Sequence, residues 1–78
     1  MKKYLSKYFK IISEKPDSVE IKSAYHYWRI ISRDGLYFLH HKHSVDNTYH
    51  VQSHIPFTSL RSIRKYIAEH DKYVENRK

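Results

Sequence analysis

Seven histidines occur in a chain of 78 residues that has no cysteine at all. Imidazole can ligate a transition metal, carry a proton near neutral pH or, once protonated, pair with a phosphate. Which of these is open depends on which rings meet, so the spacing of His26, His40, His41, His43, His50, His54 and His70 matters more than their number. Two other groups of side chains have chemical potential. Trp28 and Tyr37 offer rings on which bases stack, and Arg61, Arg64 and Lys65 gather where a helix is expected to begin. Unpaired backbone N–H groups at such a start favour an anion, and arginine grips phosphate with two parallel hydrogen bonds.

The background is strongly basic. Fifteen Lys and Arg face eight Asp and Glu, a formal charge of +7 with histidine neutral. A field of that sign draws phosphates and acidic surfaces. One domain is expected over residues 1–78, and a chain of this length buries only roughly 60% of the surface it exposes when unfolded. Without cysteine there is neither a disulfide nor a thiolate site to staple it. No run approaches the length of a membrane span, and Lys7 and Lys10 interrupt the N-terminal apolar residues. A soluble cytoplasmic protein without a membrane partner is the resulting expectation.

The elements that must hold these side chains follow from periodicity. Leu5, Tyr8, Phe9 and Ile12 recur at helical spacing, predicting a helix over about 3–14 that Pro16 stops. Residues 19–32 carry β-branched and aromatic types and read as one strand. Asp34-Gly35 is a two-residue hairpin signal, because glycine accepts positive φ. The returning strand spans about 36–44, a second turn falls at Asp46-Asn47, and a third strand covers about 48–55. Thr58 or Ser59 can cap a last helix over about 58–75, whose buried stripe is Leu60, Ile63, Ile67, His70 and Val74. The fold class is therefore α+β: helix, three-stranded antiparallel sheet, helix, with both helices on one face.

Two tight turns would fix the register and sort the faces by the period of two. The first turn pairs Ile31 with Phe38, Arg29 with His40 and Trp28 with His41. The second pairs His43 with His50, His41 with Gln52 and Phe38 with Ile55. One face then carries Tyr27, Arg29, Ile31, Leu36, Phe38, His40, Tyr49, Val51 and Ile55, and is assigned to the helices. The other carries His26, Trp28, Ile30, Tyr37, Leu39, His41, His43, His50, Gln52 and His54, and is read as open.

On that reading Trp28, Tyr37 and His41 form a platform for single-stranded bases, with Arg61, Arg64 and Lys65 as phosphate contacts. The row His26, His43, His50 is the candidate trio for zinc, nickel or copper. No metal or other cofactor is assigned, because only Asp46 stands near as an acidic outer-shell residue. The preferred function is a non-enzymatic nucleic-acid-binding or nucleic-acid-associated accessory protein. One alternative is a phage or mobile-element module that binds and modulates a host protein, with a homodimer through the open face. Another is a small toxin-like ribonuclease using histidine acid–base chemistry. The element order is similar to that of the double-stranded-RNA-binding domain, but Ser59-Leu60-Arg61-Ser62-Ile63 replaces that family's Lys-Lys-x-Ala-Lys opening. Small toxins of the HicA type share the histidine-on-a-strand feature, yet their Gly-Ser-His motif does not occur here. No catalytic residues are assigned, and a single glycine excludes phosphate-binding and dinucleotide loops.

Overall fold

The computed structural model describes residues 1–77. Its elements in chain order are α1 (Lys2–Leu5), β1 (Lys10–Lys15), β2 (Ser18–Lys22), β3 (Tyr27–Arg33), β4 (Leu36–Lys42), β5 (His50–Val51) and α2 (Leu60–Asn76). The five strands form one antiparallel sheet in the order β1-β2-β3-β4-β5. The three-stranded sheet expected from the sequence is thus wrong on two counts. The expected first helix is cut to one turn and its last five residues, 10–14, lie in an edge strand; the expected first strand is two strands.

Both corrections have local causes. Lys15 pairs with Ser18, leaving Pro16-Asp17 as a two-residue hairpin loop; neither residue takes positive φ, so the turn is unprimed, the kind whose first central position suits Pro. Ile11 is β-branched and pairs with Ile21, a contact that favours the strand over a helix. A bulge between Ile11 and Ser13 interrupts the pairing, as is common on edge strands. Lys22 pairs with Tyr27, so Ser23–His26 turns the chain between β2 and β3. Ser23 N–H donates to the His26 carbonyl at 3.0 Å there.

The β3–β4 hairpin follows its turn. Asp34 (φ 52°) and Gly35 (φ 77°) both take positive φ, the signature of a type I′ turn. Ile31 opposes Phe38, Arg29 opposes His40 and Trp28 opposes His41, as the turn predicts. The next connection differs. Asn47 Oδ1 accepts from Ser44 N–H at 3.1 Å and Ser44 Oγ–H at 2.9 Å, which stabilises a longer loop in place of a two-residue one at Asp46-Asn47. His41 then opposes His50, and His40 opposes Val51. The expected His43–His50 pairing is displaced by two residues, which leaves each side chain on its face. Beyond Val51 the ladder lapses, and Phe57 returns to exchange backbone hydrogen bonds with Tyr37, each 2.8 Å.

The covered face is the one that the sequence reading left open. Val19, Ile21, Trp28, Ile30 and Leu39 from the sheet are enclosed with Leu5 of α1 and Ile63 and Ile67 of α2. Helix α2 starts at Ser59, whose Oγ accepts from Ser62 N–H at 3.1 Å, a standard N-cap. Arg64 links the helices: its Nε donates to the Tyr4 hydroxyl at 3.0 Å, and its guanidinium lies 4.4 Å over the Tyr8 ring.

Ile63→Ala is expected to destabilise the protein by about 2–4 kcal/mol, the range for emptying a closed core site. Ile55→Ala, at a side chain 77% exposed, is expected to change stability by less than about 0.5 kcal/mol. Urea melts of the two variants check this; equal effects would show that α2 does not close the core at Ile63.

Candidate functional site

The four-residue turn Ser23–His26 brings His26 to the covered face, where it meets His41 of β4 and His70 of α2. His26 and His41 are buried, at 8% and 4% exposure, and His70 is half-buried. His41 Nε2 and His26 Nδ1 lie 2.9 Å apart and share one proton as a hydrogen bond. The ring centroids of His26 and His70 are 5.1 Å apart, and those of His41 and His70 4.9 Å. Exposed His43 completes the group, 4.4 Å from His26 and 5.1 Å from His41 by centroid. His70 Nδ1 is enclosed without a hydrogen-bond partner.

A carboxylate anchors the turn that carries His26. Trp28 Nε1–H donates to Ser23 Oγ at 2.9 Å, and Ser23 Oγ–H donates to Asp71 Oδ1 at 2.9 Å. The other oxygen, Oδ2, accepts from Ala24 N–H at 3.1 Å. This chain satisfies the indole inside the core and ties α2 to the β2–β3 turn, a connection between residues 48 apart in sequence. Beside the histidines a cleft of about 410 Å³ opens to solvent, lined by His26, His43, His70, Tyr73, Val74 and Arg77.

The cluster disfavours protonation. Burial, followed by the neighbouring histidines His26, His70, His43 and His50, lowers the His41 pKa to about 4. His26 and His70 are also pushed below the ordinary histidine value, chiefly by burial, with the Asp71 charge opposing the shift in both. Neutral imidazole, with a free lone pair, is therefore the resting form near neutral pH.

The opposite face is uncovered and differently built. Register places Lys10, Lys15, Lys22, Arg29, Arg33 and Lys42 on it, with Glu20 as its carboxylate. Glu20 is engaged: it faces Arg29 Nη2 at 3.6 Å and accepts from Ser13 Oγ–H at 3.2 Å and the Tyr49 hydroxyl at 3.1 Å. Burial, then the Glu20 charge and hydrogen bond, holds the Tyr49 phenol well above its usual pKa. Rings alternate with the cations. Tyr49 has Arg29 4.4 Å and Lys42 4.5 Å from its ring centre, Tyr27 is flanked by Lys22 and Lys42, and Arg33 lies 5.8 Å over Phe38.

Comparison with protein-family models, with curated proteins and with solved structures gives no match. The site rests on its geometry alone.

That geometry separates the residues which the sequence reading combined. Trp28 is fully enclosed and His41 nearly so, and Tyr37 packs half-buried at the core margin. None of the three forms part of an open stacking platform. Arg61 and Lys65 are exposed on α2, whereas Arg64 is engaged with Tyr4 and Tyr8. The trio His26, His43, His50 is not the group that converges. His50 opposes His41 and is exposed, and the nitrogens that converge belong to His26, His41 and His70. Sequence periodicity put His70 on the buried stripe of the last helix but gave no means of joining it to the sheet histidines. Among the described residues, no helix is long and apolar enough to cross a membrane.

Unfolded histidine titrates near 6.5, and these three titrate lower when folded, so the unfolded chain binds more protons between about pH 6.5 and 4. The stability they contribute is present above about 6.5 and is lost as pH falls toward about 4. Thermal melts of EDTA-treated protein are expected to drop across that window, with a shallower drop in His41→Gln. Parallel profiles for the two proteins would contradict the assignment.

Proposed function

We propose that this is a small nucleic-acid-binding protein that uses the uncovered face of its sheet to hold single strands. The observation that supports this reading is the make-up of that face, where six cations and one already paired carboxylate surround Tyr27, Phe38 and Tyr49. A cationic groove tracks a phosphate backbone, and interleaved rings give bases a surface on which to stack without sequence preference. Lys10, Lys22, Tyr27 and Lys42 form one continuous row across four strands. Neighbouring strands are about 4.8 Å apart, so the row spans roughly 14 Å, enough for two or three nucleotide steps.

The role divides between the cations and the rings. Lys22, Arg33 and Lys42 supply phosphate contacts, since each sits on the open face and the one carboxylate there is paired with Arg29. Phe38 and Tyr27 supply stacking surface. Arg29 and Tyr49 hold each other and Glu20 in place, and fix the centre of the face more than they contact a ligand. The exposed Arg61 and Lys65 on α2 lie beyond the core from this surface, so they contribute a general field rather than contacts to the same strand.

Fluorescence anisotropy with single- and double-stranded oligonucleotides at several salt concentrations tests the proposal. Replacing both Lys22 and Lys42 by Ala is expected to weaken every oligonucleotide and to reduce the salt slope by about one unit per lost contact. Phe38→Ala is expected to cost about 1–3 kcal/mol on single strands and little on duplexes. Replacing Arg61 and Lys65 together is expected to have the smaller effect. No saturable binding tighter than about 10⁻⁴ M, the weak end of ordinary non-specific binding, would overturn the reading and favour a protein partner.

A further inference from the structure

We infer that His26, His41 and His70 form a binding site for a transition-metal ion of the zinc class, on the helix-covered side of the sheet. The inference is independent of nucleic-acid binding, which concerns the opposite face. Each of the three histidines offers a ring nitrogen, and the three nitrogens all lie within 4.8 Å of one another. They come from three separate elements, the β2–β3 turn, β4 and α2, so an ion there would join the helix to the sheet at the end of the core.

The donor set selects the ion. Three imidazoles suit zinc, nickel, cobalt or copper, whereas calcium and magnesium require oxygen ligands that this cluster does not offer. Zinc binds imidazole nitrogen at about 2.0–2.1 Å, which at tetrahedral angles spaces neighbouring nitrogens about 3.3 Å apart. The 2.9 Å His41–His26 contact must open slightly and the wider separations must close. Rotation of the half-buried His70 ring would bring its nitrogen closer, and the few tenths of an ångström between His26 and His41 fall to a small shift of those two rings.

Two features of the metal-free site point the same way. His70 Nδ1 is enclosed with no hydrogen-bond partner, an arrangement that is costly unless something occupies the site. The His26 and His41 rings satisfy each other with a single shared proton, which a metal would displace. The Asp71 carboxylate holds Ser23 and Ala24 of the turn that carries His26. These bonds fix the backbone that carries His26, though not its imidazole. A fourth position faces the cleft, where exposed His43 stands within ring contact of His26 and His41. His43 is not one of the three converging residues, so water or a small anion would fill that position.

Full-length protein stripped with EDTA and titrated with zinc chloride by calorimetry tests the site. Cobalt chloride in parallel reports tetrahedral coordination through its visible absorption. One equivalent per chain is expected, with His70→Gln weakening zinc by about 100-fold or more while its far-ultraviolet circular dichroism stays that of wild type. His54→Gln, at an exposed loop histidine, is expected to bind as wild type does. Imidazole-nitrogen NMR of the unmutated protein gives a readout that needs no variant: His26, His41 and His70 should shift together on adding zinc. Wild-type affinity weaker than about 10⁻⁴ M, equal losses in His54→Gln and His70→Gln, or shifts confined to other histidines would overturn the inference.

Discussion

Trp28 buries its whole indole between the sheet and α2, and its Nε1–H must find an acceptor in that dry space. Ser23 Oγ is the acceptor, and its own hydroxyl donates in turn to the Asp71 carboxylate. An indole N–H left unpaired inside a core costs about 1–3 kcal/mol, a large share of the stability of so small a domain. The indole therefore ties the β2–β3 turn to the fourth turn of α2, where Asp71 sits. Ile21 and Ile30 flank it on the sheet, and Ile63 and Ile67 complete the enclosure. Once that face is taken, the face bearing Tyr27, Arg29, Phe38 and Lys42 has no helix to cover it.

The two faces have opposite electrostatic characters for the same reason. On the covered side, imidazoles crowd against an indole and against one another, and desolvation holds them neutral. On the uncovered side the cations remain partly in water and keep their charge, held apart by the tyrosine and phenylalanine rings. Neutral lone pairs on one side and fixed positive charge on the other are suited to different ligands. We propose a metal ion for the first and a phosphate backbone for the second. Because a single sheet separates them, occupancy of one site does not exclude the other.

Much of the central hairpin was legible in the sequence. Asp34-Gly35 specified a primed turn, the turn specified the β3–β4 register, and the register correctly grouped Trp28 with His41 and Arg29 with His40. The face assignment failed at one identifiable place. A continuous strand over 19–32 would carry Val19 and Ile21, which the face assignment leaves out, on the side of Tyr27, Arg29 and Ile31. The Ser23–His26 turn instead folds Ile21 against Trp28 and Val19 against Ile30, which makes the Trp28 face the core. That turn is held by Asp71, a residue 48 positions away from Ser23, so no local pattern announces it. The edge strand β1 is hidden in the sequence because Leu5, Tyr8, Phe9 and Ile12 fit helical spacing, and Pro16 serves equally well to stop a helix or to turn a strand. The histidine site was half legible: His26 and His41 were on one predicted face and His70 on a predicted buried stripe, but their meeting required knowing which face α2 covers.

The central claim is that α2 encloses the Trp28 face and leaves the basic one exposed. Trp28 is the single tryptophan of the chain, so its intrinsic fluorescence reports on that claim without ambiguity. Native emission is expected to be blue-shifted and only weakly quenched by iodide and acrylamide, shifting to the red and becoming readily quenched in denaturant. Native emission already at the position of the unfolded chain, with quenching as strong as in denaturant, would place Trp28 in water and contradict the account.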